Sequence, residues 1–280
     1  MKTINSKTKS FTLIELLVVI SIIGLLSSIV LVNTRGSRVK ARVSKGLEIS
    51  QAIQNSLGSE AVGVWDFDNC TAQDSSGNGN NGTISGATCS SDTPYSVVGQ
   101  GSGKNSLSFD GNSYVNVGAG TIFDFDTNDF TISVWAKAIS GITGRGIINK
   151  GGWGSIGYAI QEAYSPANRY YCVVRDSAGY KAVVLPLYET WDWTHIVCVK
   201  TTNHLEAWIN GKKVNEYNGV IGSLSNPTKS LEIGRSFNPY YFNGFIDDVR
   251  IYSQALSQSQ IQQQYVEGLK THNDLAILRK

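Results

Sequence analysis

Histidine is scarce: His195, His204 and His272 are the only three in 280 residues, and no two stand at H-x-x-x-H spacing. That spacing sets two imidazoles on one helix face around zinc, so its absence removes a common metallohydrolase pattern. The four cysteines show no C-x2-4-C pair, which excludes the usual thiolate zinc sites. No G-x-S-x-G is present to support a Ser/His/Asp triad. No E-x-D-x-x-E run sets paired carboxylates on one strand face, as glycoside hydrolysis on a sandwich fold needs. Phe123 to Asp126 (FDFD) alternates but is bounded by turn residues. Gly99 to Ser106, GQGSGKNS, fails as a phosphate loop, with Val98 in place of the first Gly and Asn105 after the Lys. The motifs give catalysis no foothold, and the chain reads as a non-enzyme.

Net charge is also slight, +2 overall, but it is unevenly spread. Residues 1–60 carry eight Lys/Arg against three Asp/Glu, and residues 61–280 carry sixteen against nineteen. The acidic body argues against nucleic-acid contact. The leader MKTINSKTKS holds Lys2, Lys7 and Lys9 and no acid. Composition shifts near residue 60, from helix-forming apolar runs to Gly, Asn, Ser, Thr, Tyr and Trp. A boundary therefore falls at Leu57–Ala61, around Gly58-Ser59.

Phe11 to Val32, FTLIELLVVISIIGLLSSIVLV, is almost wholly apolar and contains no proline. As a helix it spans roughly 33 Å, the hydrocarbon thickness of a bilayer. Glu15 stands inside it, although a carboxylate deep in lipid costs about 2.5–3.5 kcal/mol. Val39, Val43, Leu47, Ile53 and Leu57 continue an apolar stripe at helical spacing.

KSFTLIELLVVISIIGLL resembles the class III signal of type IV prepilins and pseudopilins: a short basic leader, a small residue, Phe, three residues, Glu, then an apolar helix. The resemblance covers residues 5–35. It implies a leader at 1–10, cleavage by a prepilin peptidase between Ser10 and Phe11, and methylation of the new amine. Ser10 stands where the family usually has Gly. It further implies a helix over 11–57, transmembrane at 11–32, that joins other pilin subunits through an inner-membrane assembly machinery. Phe11 and Glu15 would drive assembly, the Glu15 carboxylate meeting a neighbour's N-terminal ammonium so that each charge offsets the other's desolvation. The precursor would sit in the inner membrane with its C-terminal part outside, and the mature form in an extracellular filament.

An even cysteine count behind an export-type segment reads as two disulfides, Cys70–Cys89 and Cys172–Cys198, against the reading of four buried thiols. From Ala61 onward about a dozen short runs rich in β-branched and aromatic residues alternate with Gly/Asn turns, which predicts an all-β sandwich. Asn210-Gly211, between HLEAWI and KKVNEY, is a strong hairpin signal. A short helix is expected over about Ser257–Val266.

These runs also resemble the laminin-G-like, concanavalin-A-like jelly rolls, on DSSGNGNNGTISGA, LSFDGNSYVNVG, FTISVWAK, WTHIVCVK, EAWINGKKV, LEIGR and GFIDDVRIYSQALS. The fold class expected is therefore α+β: a long N-terminal helix followed by a jelly roll over 61–268, with a tail at 269–280. The resemblance implies a structural calcium held by Asp74, Asn78 or Asn80, with Asp247 or Asp248; a turn whose Asp and Asn cap their own backbone is the competing reading. Trp153, Tyr240 and Tyr241 are candidate stacking residues for a glycan or surface partner, and GYAIQE and SFNPYYFNG are the segments to inspect. The expected function is a pilin-like filament subunit displaying a recognition head. A membrane-anchored lectin that does not polymerise, and a secretion pseudopilin, are the alternatives.

Overall fold

The structure is a computed structural model that describes residues 13–23, 57–58, 60–94, 104–139, 145–152, 154–162, 169–187, 192–236 and 240–271. It divides into two compact units, Met1–Gln54 and Asn55–Lys280. In the first, residues 13–23 form helix α1. Its large apolar side chains are exposed, Leu13 at 79% and Ile14 at 75%. Ser21 returns its hydroxyl to the Leu17 carbonyl at 2.7 Å, so its polar group is satisfied within the helix. Among the described residues no helix is long and apolar enough to cross a membrane. The rest of the expected span, residues 24–32, and its continuation to residue 56 lie outside the described residues.

The second unit is a two-sheet sandwich. Its strands are β1 (Ala61–Trp65), β2 (Thr83–Ser85), β3 (Thr88–Ser90), β4 (Ser106–Asp110), β5 (Tyr114–Gly118), β6 (Phe130–Ala138), β7 (Gly146–Lys150), β8 (Gly157–Glu162), β9 (Arg169–Asp176), β10 (Gly179–Leu187), β11 (Thr194–Lys200), β12 (His204–Ile209), β13 (Lys212–Asn218), β14 (Leu231–Ile233) and β15 (Asn243–Tyr252). One sheet runs β13-β12-β11-β6-β15-β4-β3, with β1 also on β15; the other runs β10-β9-β8-β7-β14-β5-β2. Their ladders are antiparallel. The longest strand, β15, pairs β6 along one side and shares its other side between β4 and β1. Thirteen strands coincide with the β-rich runs of the sequence. The exceptions, β2 and β3, are three residues each and mostly exposed, too short for a hydrophobic period.

Alternation builds the core. Phe130, Ile132, Val134, Ala136 and Ala138 of β6 face Ile148, Ile160, Cys172 and Val174 of the opposite sheet. Asn210 and Gly211 turn the β12–β13 hairpin with φ of 49° and 74°, the left-handed pair that a two-residue turn requires. Pro186 lies on β10, an edge strand, where its missing N–H costs no ladder bond. Cys172 and Cys198 join β9 to β11 across the sandwich, with Cα atoms 5.7 Å apart, and Cys70–Cys89 closes the loop before β3 at 5.1 Å. Both sequence-based pairings hold.

Helix α2 (Gln258–Thr271) follows β15 and extends five residues beyond the expected helix. Ser257 and Gln260 exchange backbone and side-chain bonds as a capping box. Ile261 is fully buried. The Tyr265 ring stacks on Trp135 at 5.7 Å and on His195 at 6.0 Å, so α2 covers the outer face of the eight-stranded sheet. Gly268 permits that contact, since a Cβ there would stand 2.4 Å from the Trp135 indole nitrogen. Gly to Ala within a helix normally stabilises by about 1 kcal/mol. Gly268→Ala is instead expected to lower unfolding free energy by about 1–3 kcal/mol through overpacking. Chemical denaturation measures this, and a variant as stable as the parent would show that α2 does not lie this close to Trp135.

Candidate functional site

Around β14 the outer face of the seven-stranded sheet is polar. On β14, Leu231 and Ile233 are fully buried in the core, so Glu232 points outward. Register sets Asn116 and Asn149 on either side of Glu232, and Ala159 of β8 beside Asn149. Two residues along β8, Gln161 shares that face. A cleft of about 480 Å³ opens here, lined by Asn149, Glu232, Arg235 and Ser236, with exposed Thr228 and Lys229 at its rim. Its floor depends on Gly146, where a Cβ would meet the Ser236 backbone nitrogen at 2.2 Å.

Hydrogen bonds fix the cleft's side chains. Asn149 Nδ2 donates to the Ser236 carbonyl, and the Ser236 hydroxyl donates to Gln161 Oε1 at 3.3 Å. Arg235 Nε donates to Glu232 Oε2 at 2.8 Å and a second guanidinium N–H donates to Oε1, a forked pair. The guanidinium lies 3.7 Å from the centre of the Tyr114 ring and donates to Tyr241 Oη at 3.4 Å. Tyr241 therefore stands at the cleft through Arg235, while Tyr240 contributes its carbonyl to the Ser236 N–H at 3.0 Å. Trp153 lies outside the described residues, between Gly152 and the cleft-lining Gly154. The segments GYAIQE and SFNPYYFNG supply Gln161, Ser236 and Tyr241. Glu232 and Arg235 lie within LEIGR, which carried the fold resemblance and no site reading, and register brings Asn149 beside Glu232.

The residues expected to hold calcium lie on the DSSG turn and on β15. Asp74 Oδ1 accepts the N–H groups of Val64 and Ser76 and Oδ2 accepts that of Asn80, all at 2.9 Å. Asn80 itself donates to the Val62 carbonyl at 2.7 Å. Burial works to raise the Asp74 pKa, but the bonds from Ser76, Val64 and Asn80 outweigh it and hold the carboxyl below its ordinary value. The DSSG turn thus caps its own backbone. Asp247 and Asp248 sit at a bulge of β15, where Asp248 has φ 46°. Burial, then Asp248, Asp68 and Asp66, push the Asp247 pKa well up, and Asp248 pairs with Arg250 at 3.2 Å. Among the described residues no group of three or more His, Cys, Asp and Glu side chains is arranged to hold a metal. Glu15 lies on the exposed surface of α1, and Ser10 and Phe11 lie outside the described residues.

The profile of the concanavalin A-like lectin/glucanases superfamily matches residues 109–262. The chain belongs to that superfamily. The prokaryotic N-terminal methylation motif matches residues 5–31, so a prepilin motif precedes the concanavalin A-like head. A curated relative, adhesion G-protein coupled receptor V1 of Danio rerio, is 26% identical over 160 residues, 52% of this chain and 2% of that protein. Domain 4 of AbnA, an extracellular arabinanase of Geobacillus stearothermophilus solved with arabinotriose, is similar at 19% identity and TM-score 0.56, over 72% of this chain and 97% of that one. The binding domain of Paraclostridial Mosquitocidal Protein 1 is similar at 17% identity and TM-score 0.62, over 75% of this chain and 52% of that one. The receptor-binding domain of botulinum neurotoxin D is similar at 16% identity and TM-score 0.57, over 75% and 53%. These likenesses show the fold, and this chain spans about half of each toxin domain.

Beneath α2 the concanavalin A-like head holds a sealed polar cluster. Ser133 Oγ lies 2.8 Å from His195 Nε2, both residues buried, with Trp135, Arg250 and Gln264 around them. His195 Nδ1 has no hydrogen-bond partner, so no carboxylate orients the ring as a triad would. Burial, then the Arg250 charge, against a smaller opposing effect of Asp248, push the His195 pKa down to about 3. Below pH 6.5 the unfolded chain therefore binds a proton that the folded head refuses until about pH 3. His195 thus removes stability as pH falls through that window, by about 2 kcal/mol between pH 7 and pH 5. Urea midpoints at the two pH values for the parent and His195→Gln measure this. The variant is expected to show the shallower loss, and equal slopes would mean the imidazole is not sealed.

Proposed function

We propose that the chain is a prepilin-type filament subunit that displays a saccharide-recognising head. The observation that carries this reading is the methylation motif at residues 5–31, running into an apolar α1 that holds Glu15 and followed by a lectin-like sandwich. The exposed apolar side chains of α1 need lipid or other helices around them. In the filament the Glu15 carboxylate meets the amine of a processed neighbour starting at Phe11, and each charge offsets the other's desolvation. A prepilin peptidase cuts after Ser10, the precursor is held in the inner membrane, and the assembly machinery moves it into a surface filament. The head's part is recognition. The similar arabinanase domain was solved with arabinotriose and the similar toxin domains are binding domains, which supports a saccharide or surface ligand here. The role is structural and binding.

Mass spectrometry of the N-terminal peptide from native membranes and sheared filaments tests this. A chain beginning at methylated Phe11 is expected. A chain beginning at Met1 would mean an unprocessed anchor and overturn the reading. Glu15→Ala is expected to leave processing and membrane display intact while removing the protein from the filament fraction, by tenfold or more if the pair is worth about 1.4 kcal/mol or more. Undiminished filament content would overturn assembly through Glu15.

A further inference from the structure

Resting on the reading of the chain as a filament subunit, we infer that the Asp74–Asn80 turn is a clasp that locks β1 into the head, so that the head stays folded under tension arriving from the N-terminal unit. The chain is covalent, so any pull on the N-terminal unit reaches the head through Glu60 and β1. β1 is only five residues long, and among the described residues β15 alone pairs with it as a strand. A terminal strand held along one edge opens locally, since each bond can break before the next is loaded.

The turn closes the other edge. The Ala61 carbonyl accepts Asn78 Nδ2 at 2.9 Å, and the Val62 carbonyl accepts Asn80 Nδ2 at 2.7 Å. The Val64 N–H donates to Asp74 Oδ1 at 2.9 Å, and the Val64 carbonyl accepts the Ser75 N–H at 2.8 Å. Backbone groups that a neighbouring strand would satisfy are thus taken by one short turn. The turn is itself braced. Asp74 Oδ1 and Oδ2 also hold the N–H groups of Ser76 and Asn80, and Asn81 Oδ1 accepts the Asp74 N–H at 2.9 Å. One carboxylate therefore ties β1 to both ends of the turn. Trp65, fully buried, donates its indole N–H to the Asn80 carbonyl at 3.1 Å. The disulfide adds a stop. Cys70 precedes the turn and Cys89 follows it on β3, which pairs with β4. The turn lies inside that covalent loop, so a peeling chain is freed only as far as Cys70.

Optical-tweezers measurements on the full chain in detergent micelles test this, with click handles at Gly58 and Lys229, both exposed. A Cβ at Gly58 meets nothing within 4 Å, so the position tolerates a handle. Asn78→Ala/Asn80→Ala removes two of the clasp's bonds to β1. At a fixed load it is expected to raise the rate at which β1 leaves the head by about tenfold or more. The release is expected as a separate step of at most about 40 Å, the extended length from Gly58 to Cys70, ahead of global unfolding. Reducing the disulfides of the variant is expected to lengthen that step. With handles at Lys212 and Lys229, which leave β1 unloaded, variant and parent are expected to unfold at the same force. Equal release rates from Gly58, or the same loss of force from both pairs of handles, would overturn the clasp. A step that runs past Cys70 with the disulfide intact would overturn the stop. The readouts do not depend on assembly: exclusion of the parent chain from filaments would remove the load and overturn the role, with the step from Gly58 unchanged.

Discussion

The two sheets of the head share one core, and that sharing constrains what happens outside it. Every second residue of a strand goes inward, so the next must go outward. On β6 the inward set is Phe130, Ile132, Val134, Ala136 and Ala138, and the outward set includes Ser133 and Trp135. An exposed Trp135 would be unfavourable, and α2 removes the problem by laying Tyr265 and Gly268 on it. On the other sheet the outward positions include Asn149, Gln161 and Glu232. One rule of alternation thus gives a face covered by α2 and a face that carries polar side chains.

Buried charge follows the same logic of paired groups. Lys150 is almost wholly buried, yet its ammonium donates to the Asn226 carbonyl at 2.7 Å and to Asp124 at 3.3 Å. Lys200 is fully buried and donates to the carbonyls of Thr127 and Asn128 at 2.7 and 3.0 Å. Together the two lysines pin the acidic stretch from Asp124 to Asp129 against the sandwich. Protein cations hold that stretch, as backbone N–H groups hold Asp74. The head satisfies these charges from within.

The N-terminal unit solves the burial problem in the opposite way. α1 carries apolar side chains around its whole circumference, and among the described residues no second layer buries them. A helix of that kind is stable only where the surroundings are apolar. In the proposed filament those surroundings are first lipid and then the helices of other subunits, and Glu15 becomes the one position where register can be specified by charge. Assembly and recognition then reside in separate units.

Local pattern was enough for much of this. The apolar run with its basic leader and Glu15, the β-rich runs, the Asn210-Gly211 turn and the cysteine pairing were legible because each rests on neighbours in sequence or on a simple count. β2 and β3 were not legible, since three exposed residues carry no period. The calcium residues were legible as a resemblance, but only the fold showed that backbone N–H groups engage Asp74 and that Asp247 and Asp248 sit at a bulge of β15. The cleft is the clearest case. Asn149, Gln161, Glu232 and Ser236 come from β7, β8, β14 and the turn after β14, as far apart as 87 positions for Asn149 and Ser236. Sequence decides which residues are polar and which strands they lie on. Antiparallel register decides which of them meet, because pairing across strands depends on the whole sheet closing at once.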